Sequence, residues 1–209
     1  MADQPRTRIY LARHGQSQAN VLGRFCGHAD APLTPRGVEQ ARALGRRLAG
    51  IRLDACYASD LTRALETARL ALGERGLAPA PDPALREIHY GEWELVPEPD
   101  ARRTHPDCFA AMEAEDPAWQ PPGGETLPAV VERTGRALDR IIARHRGQSV
   151  LVVSHGTAIN CLLAGVLGLP LSHVFRIDVA NCALFELEER NGRLYAVRLN
   201  DTAHLEPPR

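Results

Sequence analysis

Two short apolar runs in this chain each lead into a His-Gly pair, and this arrangement restricts the folds that fit the sequence. The run 9–12 is followed by Arg13-His14-Gly15, and the run 150–153 by Ser154-His155-Gly156. Short apolar runs bounded by turn residues are typical of buried parallel strands. Such strands end at one edge of a sheet, where α/β proteins bind ligands and helix N-termini present N–H groups to anions. The sequence therefore predicts that both imidazole rings meet at a phosphate site.

Helix signals alternate with these strand patterns along the chain. Thr34 followed by Pro35 predicts a helix that begins there and is closed by Gly50, because threonine caps well and proline suits the first turn. Apolar residues at helical spacing predict another helix over 128–145. Near the C-terminus, Asn191-Gly192 between two strand patterns predicts a hairpin. We therefore expect a three-layer α/β/α fold, in which a mostly parallel sheet carries an antiparallel edge strand.

The length of the chain and its proline distribution indicate how it is organised. With 209 residues, of which 44% are hydrophobic, the chain is long enough for one large core. We expect a single domain over 1–209. Six prolines fall within 92–125, so this segment is predicted to be an irregular, lid-like insertion.

The charge composition excludes several function classes. All 25 basic residues are arginine, so phosphate loops that require a lysine and Schiff-base enzymes are ruled out. The net charge of −1 gives no basic excess for nucleic acid or an acidic membrane, and neither is an expected partner. The expected partner is a small phosphorylated substrate, and the chain is expected to be a monomer or a homodimer.

Cysteine spacing and the N-terminal residues bear on the compartment. The five cysteines are widely spaced and form no CxxC pair, which argues against a disulfide framework or a zinc ribbon. The first residues lack the apolar stretch of a signal peptide. We therefore expect a cytoplasmic protein.

Arginine and asparagine side chains near the predicted strand ends can bind a phosphoryl group. The guanidinium groups of Arg13 and Arg63 can each donate paired hydrogen bonds to its oxygens. Arg63 falls in the first turn of a predicted helix, which Ser59 or Asp60 is expected to cap. Asn20 can add a neutral donor. The two guanidinium groups could supply positive charge without a metal ion.

The two histidines and one carboxyl group can carry the chemistry. A neutral imidazole is a competent nucleophile toward phosphorus, so one of the two rings is expected to form an N-phosphohistidine. Glu87, just after a strand-like segment, is placed to protonate the leaving alkoxide. Burial and the negative charge of a bound phosphate would favour its protonated form.

Four stretches of the chain resemble the motifs of the histidine phosphatase superfamily, which includes phosphoglycerate mutases and α-ribazole phosphatases. They are the runs 11–20, 59–68, 85–94 and 153–156. Lesser similarities lie at 121–125 and 200–202, so the resemblance covers nearly the whole chain. It implies a phosphoglycerate mutase-like fold.

The resemblance also assigns roles to individual residues. It implies that His14 is the phosphorylated nucleophile, that Glu87 is the proton donor and acceptor, and that His155 stabilises the transition state. The phosphate-binding residues that it implies are Arg13, Asn20, Arg63, His155 and Gly156. It implies neither a cofactor nor a metal ion.

Three functions remain open at this point. The preferred one is a metal-independent phosphomonoesterase of the histidine acid phosphatase type, acting on a small metabolite through a phosphohistidine. A cofactor-dependent phosphoglycerate mutase is the alternative, favoured by the mutase-like stretches 23–27 and 89–91. Arg102 and Arg103 could then bind a substrate carboxylate, but a lid interrupted by prolines is poorly suited to excluding water. The third is a non-catalytic domain that binds a phosphorylated ligand.

Overall fold

A mixed sheet of six strands forms the centre of the protein. The computed structural model describes residues 6–205, and all statements about the structure refer to these residues. The strands are β1 (Arg8–Arg13), β2 (Ala55–Ala58), β3 (Ala80–Pro81), β4 (Ser149–Ser154), β5 (Leu184–Arg190) and β6 (Arg193–Asp201). Their order is β3-β2-β4-β1-β5-β6. The first four strands of this order are parallel, and β5 and β6 are antiparallel to their neighbours.

Seven helices accompany the sheet in the described part of the chain. They are α1 (Gln18–Val21), α2 (Pro35–Arg47), α3 (Thr62–Leu72), α4 (Glu98–Thr104), α5 (Pro106–Glu113), α6 (Leu127–Arg144) and α7 (Gly156–Leu167). No helix within residues 6–205 is both long enough and apolar enough to cross a membrane.

Alternate residues of the central strand β1 face two separate cores. Ile9 and Leu11 pack in one apolar cluster with residues of α6 and α7. Tyr10 and Ala12 pack in another cluster with residues of α2 and α3. Because successive side chains of a strand point to opposite faces, helices cover the sheet on both sides. The predicted three-layer fold with antiparallel strands at one edge is confirmed.

The helix start at Thr34 is confirmed, whereas the expected cap of α3 is wrong. The Thr34 hydroxyl oxygen accepts a hydrogen bond from the main-chain N–H of Gly37, over 3.0 Å. The N-cap of α3 is Leu61, which has no side-chain cap. The carboxylate of Asp60 accepts two hydrogen bonds from Arg86 instead. The guanidinium group of Arg86 binds this carboxylate in place of the N–H groups of α3, because two charge-assisted hydrogen bonds form at once.

The segment 92–125, expected to be irregular, contains helices α4 and α5 and its own apolar cluster. Trp93, Phe109 and Trp119 are almost completely buried in that cluster, together with residues of α7. The rings of Trp93 and Phe109 stack with their centroids 4.6 Å apart. Prolines lie in the first turns of both helices, where their fixed φ favours the helix and no hydrogen bond is lost. The prolines therefore begin helices here, and the expectation of an irregular segment is wrong over 98–104 and 106–113.

The hairpin predicted at Asn191-Gly192 joins β5 to β6. Both residues have positive φ, 52° for Asn191 and 78° for Gly192. This is the backbone that a type I′ turn requires, and it explains why asparagine and glycine stand there.

Two glycines allow the loop after β1 to pass against the first turn of α2. A Cβ atom on Gly15 would lie 2.5 Å from the carbonyl oxygen of Gly37. A Cβ atom on Gly37 would lie 2.1 Å from the carbonyl oxygen of Gln16. Both distances are far inside van der Waals contact with backbone atoms, so α2 holds the segment that carries His14.

We expect Gly37→Ala to lower the free energy of unfolding by about 1–3 kcal/mol, the usual cost of overpacking. The matched control is Gly135→Ala within α6, where a Cβ atom would meet nothing within 4 Å. In that variant the free energy of unfolding should rise by up to about 1 kcal/mol, because alanine is the better helix former. Equilibrium unfolding in urea measures the free energy of unfolding of both variants. Equal effects in the two variants would contradict the close approach of Gly37 to the loop.

Candidate active site

His14 is the first residue after β1, and hydrogen bonds fix both its backbone and its ring. Its main-chain N–H donates to the carbonyl oxygen of Ser154, the last residue of β4, over 3.0 Å. Its ring Nδ1 lies 2.7 Å from the carbonyl oxygen of Gly15. Because a carbonyl oxygen only accepts hydrogen bonds, Nδ1 carries the ring proton and Nε2 keeps its lone pair. Nε2 is therefore the nitrogen that can act as a nucleophile.

The surroundings of both histidine rings keep them uncharged. His14 is 3% exposed and His155 is fully buried. Burial lowers the pKa of His14 well below its usual value, and the guanidinium groups of Arg63 and Arg13 lower it further. Burial and Arg63 also lower the pKa of His155. An imidazole that stays neutral keeps the lone pair that nucleophilic attack requires.

Of the two arginines predicted to bind phosphate, Arg63 is buried at this edge of the sheet and Arg13 is partly buried there. Arg63, in the first turn of α3, is 1% exposed. Its Nη1 and Nη2 donate to the carbonyl oxygens of Ala29 and Gly27, over 2.9 and 2.7 Å. Nη1 of Arg13 donates to the carbonyl oxygen of Val179. Backbone oxygens thus hold both guanidinium groups in place.

Asn20 belongs to α1 and reaches the site through its side chain. Its Oδ1 accepts hydrogen bonds from the main-chain N–H of Ser17 over 3.0 Å and from Nδ2 of Asn181 over 3.2 Å. Asn181 also donates to the main-chain oxygen of His14. Because Oδ1 is already occupied, the amide N–H groups of Asn20 are the part left to bind a ligand.

The carboxylate of Glu87 lies at the N-terminus of α7. It accepts hydrogen bonds from the main-chain N–H groups of Thr157 and Ala158, over 3.2 and 2.9 Å. Burial lowers the pKa of Arg13, and the nearby Glu87 carboxylate opposes that shift. The first turn of α7, expected to offer N–H groups to an anion, therefore binds Glu87 through two of them. Gly156 begins the helix, and a Cβ atom there would lie 3.7 Å from the guanidinium carbon of Arg13.

A cavity of about 110 Å³ joins these side chains. Its polar lining includes Arg13, His14, Asn20, Arg24, Arg63 and Glu87. This volume equals that of about four water molecules at roughly 30 Å³ each, so the cavity suits a small group. A cavity of about 680 Å³ between α6, α7 and the β5–β6 hairpin is larger but is lined by none of these residues. Residue chemistry, and not volume, identifies the candidate site.

His155 lies beside His14, although it is not part of the cavity lining. The two ring centroids are 5.0 Å apart, so the predicted meeting of the imidazole rings is confirmed. Within the described residues, both ring nitrogens of His155 and the Nε atoms of Arg13 and Arg63 are buried without a hydrogen-bond partner. Each such group costs about 1–3 kcal/mol, and native proteins retain few of them. An oxyanion would supply acceptor oxygens for the two Nε–H groups and for the one N–H group of the neutral His155 ring.

Several supporting residues were not assigned a role from the sequence. Arg133 of α6 donates to the carbonyl oxygens of Ala84, Arg86 and Glu87 and so fixes the segment that carries the Glu87 carboxyl group. In the sequence, the position of Arg133 is typical of a solvent-exposed residue of an amphipathic helix. No local pattern distinguishes it, because the three carbonyl oxygens that it binds lie more than forty residues away in the chain.

Glu94 supports the other side of the site. Its carboxylate accepts the main-chain N–H groups of His28 and Ala29, over 2.7 and 2.6 Å. The same loop provides the carbonyl oxygens that hold Arg63. The run 85–94 resembles a family motif, but that resemblance assigns no role to Glu94.

Arg102 and Arg103, considered for binding a substrate carboxylate, lie elsewhere. Arg102 pairs with Glu98 and Glu113, and its guanidinium group lies over the ring of Phe109. Arg103 pairs with Asp100. Neither residue lines the cavity, so the structure does not support that role.

Comparisons with known proteins identify the family of this chain. The family model described as the histidine phosphatase superfamily (branch 1) matches residues 9–202. Adenosylcobalamin/alpha-ribazole phosphatase of Escherichia coli is 35% identical over 88% of this chain and 91% of its own. A protein of Yersinia pestis named probable phosphoglycerate mutase GpmB is 32% identical over 96% of both chains.

Solved structures show the same relationship. YhfR of Bacillus stearothermophilus superposes with a TM-score of 0.92 and 34% identity, over 96% of this chain and all of that one. A mycobacterial glucosyl-3-phosphoglycerate phosphatase, whose structure is a complex with VO3, gives a TM-score of 0.85 and 31% identity. That match covers 93% of this chain and 99% of the other. The chain therefore belongs to the histidine phosphatase superfamily, branch 1.

Proposed function

We propose that this protein is a phosphomonoesterase that hydrolyses a small phosphorylated metabolite through a phosphohistidine at His14, without a metal ion. It would act as a phosphoric monoester hydrolase of the histidine acid phosphatase type. The observation that carries the proposal is the set of buried nitrogens on Arg13, Arg63 and His155 that find no partner among residues 6–205, next to the neutral imidazole of His14. Together they match a tetrahedral oxyanion held in front of a nucleophile.

In the first step, Nε2 of His14 attacks the phosphorus atom and the bond to the ester oxygen breaks. Arg13, Arg63 and Asn20 bind the equatorial oxygens, with the main-chain N–H of Gly156 as a further donor. His155 stabilises the charge that develops on these oxygens in the transition state. The alkoxide leaves with a proton from Glu87 and departs as the alcohol.

In the second step, Glu87 removes a proton from water, whose oxygen attacks the phosphohistidine. The N–P bond breaks, inorganic phosphate leaves and His14 is neutral again. Glu87 must carry a proton at the start of the first step, because it donates that proton to the leaving oxygen. Its hydrogen bonds to α7 hold the carboxyl group at the cavity in both steps.

The names of the relatives support hydrolysis. The Escherichia coli relative and the mycobacterial structural neighbour are both named as phosphatases. Vanadate resembles phosphate in charge and shape, so the VO3 complex of the neighbour supports an oxyanion site of this kind. All five cysteines are free thiols in the structure, which supports a reducing compartment such as the cytoplasm.

Mutase activity is the second candidate, supported by the similarity to the GpmB protein. A mutase must shield its phosphohistidine from water. Here the exposed side chain of Arg24 lines the cavity, which indicates access to solvent and favours hydrolysis. Incubation with 3-phosphoglycerate and a trace of 2,3-bisphosphoglycerate distinguishes the two, because only a mutase forms 2-phosphoglycerate.

With p-nitrophenyl phosphate, the wild-type protein should release nitrophenol, and His14→Ala should lower kcat by about 10³-fold or more. His173→Ala, which changes a histidine outside the cavity lining, is the matched control and should retain activity. EDTA should have no effect and vanadate should inhibit. A wild-type protein without turnover would indicate a binding domain, and strong inhibition by EDTA would contradict the metal-free mechanism.

Arg63→Lys should lower kcat/KM by about 10- to 100-fold. One ammonium group cannot donate to two carbonyl oxygens and to a phosphoryl oxygen in the fixed geometry of a guanidinium group. Arg69→Lys, at an exposed position of the same helix, is the matched control. Full activity of Arg63→Lys in the same assay would show that Arg63 does not bind the phosphoryl group.

The rings of His14 and His155 should stay neutral as the pH falls through about 6.5, where free histidine takes up a proton. The unfolded chain does bind those protons, so the stability that these residues contribute is present above that pH and is lost below it. NMR of protein labelled with ¹⁵N at histidine measures both rings directly. Titration of either ring near pH ~6.5 would contradict the buried electrostatic environment.

A further inference from the structure

The ring of His14 is oriented by the carbonyl group of a glycine, the residue whose backbone is least restrained. Nδ1 of His14 lies 2.7 Å from the main-chain oxygen of Gly15. Glycine is required at this position because a Cβ atom would lie 2.5 Å from the carbonyl oxygen of Gly37. Without a Cβ atom, however, the backbone has access to more conformations than at any other residue. The carbonyl oxygen of Gly15 therefore needs other contacts to keep its direction.

A side chain of α3 fixes the first of the two peptide units that flank Gly15. The main-chain N–H of Gly15 donates to Oγ1 of Thr67 over 3.0 Å. The Thr67 hydroxyl in turn donates to the carbonyl oxygen of Arg63 over 2.7 Å, and Thr67 is fully buried. Thr67 therefore connects the peptide unit between His14 and Gly15 to the helix that carries Arg63.

The second peptide unit contains the carbonyl oxygen that binds His14, and a side chain of α2 fixes it. The N–H group of this unit belongs to Gln16 and donates to Oε1 of Gln40 over 2.9 Å. Because a main-chain N–H only donates, the side-chain oxygen of Gln40 faces the loop and not its nitrogen. The C=O and N–H groups of a trans peptide bond lie in one plane and point in opposite directions. The hydrogen bond to Gln40 therefore sets the direction of the Gly15 oxygen.

The position of Gln40 in α2 explains how its side chain reaches the loop. Gly37 and Gln40 are three residues apart and so share one face of the helix. A Cβ atom on Gly37 would lie 2.1 Å from the carbonyl oxygen of Gln16 and 2.9 Å from its nitrogen. The main-chain N–H of Thr34, the N-cap of α2, donates to the Gln16 oxygen over 2.9 Å. The first turns of α2 thus bind both polar groups of the Gln16 backbone.

The two hydrogen bonds of this peptide unit also strengthen each other. Donation by the N–H of Gln16 increases the negative charge on the Gly15 oxygen, because hydrogen bonds in a chain polarise one another. The ring of His14 is buried, where the low dielectric makes such contacts stronger than in water. A more negative oxygen holds the ring proton of His14 on Nδ1 more firmly, so Gln40 acts on the ring through the peptide unit.

We propose that Gln40 is a positioning residue for the nucleophile. It holds the peptide unit between Gly15 and Gln16 so that His14 keeps its proton on Nδ1 and its lone pair on Nε2. The expected effect on turnover rests on the proposed function, whereas the expected effect on the ring does not. Gln40 is not part of the cavity lining, so a substitution there should leave phosphate binding intact.

NMR of protein labelled with ¹⁵N at histidine measures the tautomer of His14, and His14→Ala assigns its signals. The wild-type ring should carry its proton on Nδ1 alone. Gln40→Met keeps the size of the side chain and removes the acceptor oxygen, so we expect a mixture of the two tautomers. Gln40→Glu keeps an acceptor oxygen at the same distance from the backbone and should restore the single tautomer. A single Nδ1–H tautomer in Gln40→Met would overturn the proposal.

Turnover of p-nitrophenyl phosphate tests the consequence for catalysis. In Gln40→Met, kcat/KM should fall by about 10-fold, because the nucleophile loses its alignment. The inhibition constant of inorganic phosphate should stay at the wild-type value, because Arg13 and Arg63 are unaffected. The matched control is Gln148→Met, which removes an exposed side-chain oxygen 2.7 Å from Nδ1 of His145, outside the cavity lining. This control should keep the wild-type kcat/KM.

The variants also separate positioning from a merely structural role. If the acceptor oxygen is what matters, Gln40→Glu should recover most of the lost kcat/KM. Gln40→Asn, which withdraws the oxygen by one methylene group, should behave like Gln40→Met. Equal losses in Gln40→Met and Gln40→Glu would overturn the proposal, and so would an unchanged kcat/KM in Gln40→Met. Weaker inhibition by phosphate in step with the lost kcat/KM would overturn it too, since Gln40 would then act on phosphate binding.

The NMR measurement separates a failure of this inference from a failure of the proposed function. A wild-type protein without turnover would overturn the proposed function alone. A mixture of tautomers in Gln40→Met would still support the positioning of His14 by Gln40 in such a protein. A single tautomer in that variant would overturn the positioning even if the wild-type protein hydrolyses p-nitrophenyl phosphate.

Discussion

A buried guanidinium group remains charged, and the protein must surround it with fixed oxygen acceptors. Arg63, which is 1% exposed, is the clearest case here. Its two terminal nitrogens bind the carbonyl oxygens of Gly27 and Ala29, and the Glu94 carboxylate binds N–H groups of the same loop. The position of this cation thus depends on a loop before α2 and on a carboxylate just before α4.

Burial lowers the pKa of His14 most, and the neighbouring positive charges lower it further. Arg63 and Arg13 oppose a proton on His14, and the Gly15 carbonyl oxygen holds the remaining ring proton on Nδ1. Both effects leave the lone pair on Nε2. Both terminal nitrogens of Arg63 and Nη1 of Arg13 bind carbonyl oxygens, while the Nε atoms of the two arginines have no partner among residues 6–205. A preorganised site of this kind needs little rearrangement when charge develops on a phosphoryl group.

Local sequence patterns predict the parts of this structure that depend on local chemistry. The strand ends with their histidines, the Thr34 cap and the Asn191-Gly192 turn all follow from residue type and spacing. The proline pattern does not reveal helices α4 and α5, because proline breaks a helix in its interior but favours it in the first turn, where it lies here. Contacts such as those of Arg133 join distant segments, so no local pattern reveals them.

The central claim is that the neutral Nε2 of His14 takes the phosphoryl group. The most direct measurement is a rapid acid-free quench during turnover of a ³²P-labelled ester, followed by peptide mapping of the labelled protein. The account predicts an acid-labile label on the peptide that contains His14, with none on the peptide that contains His155. A label on another residue, or turnover with no labelled protein at any time point, would contradict it.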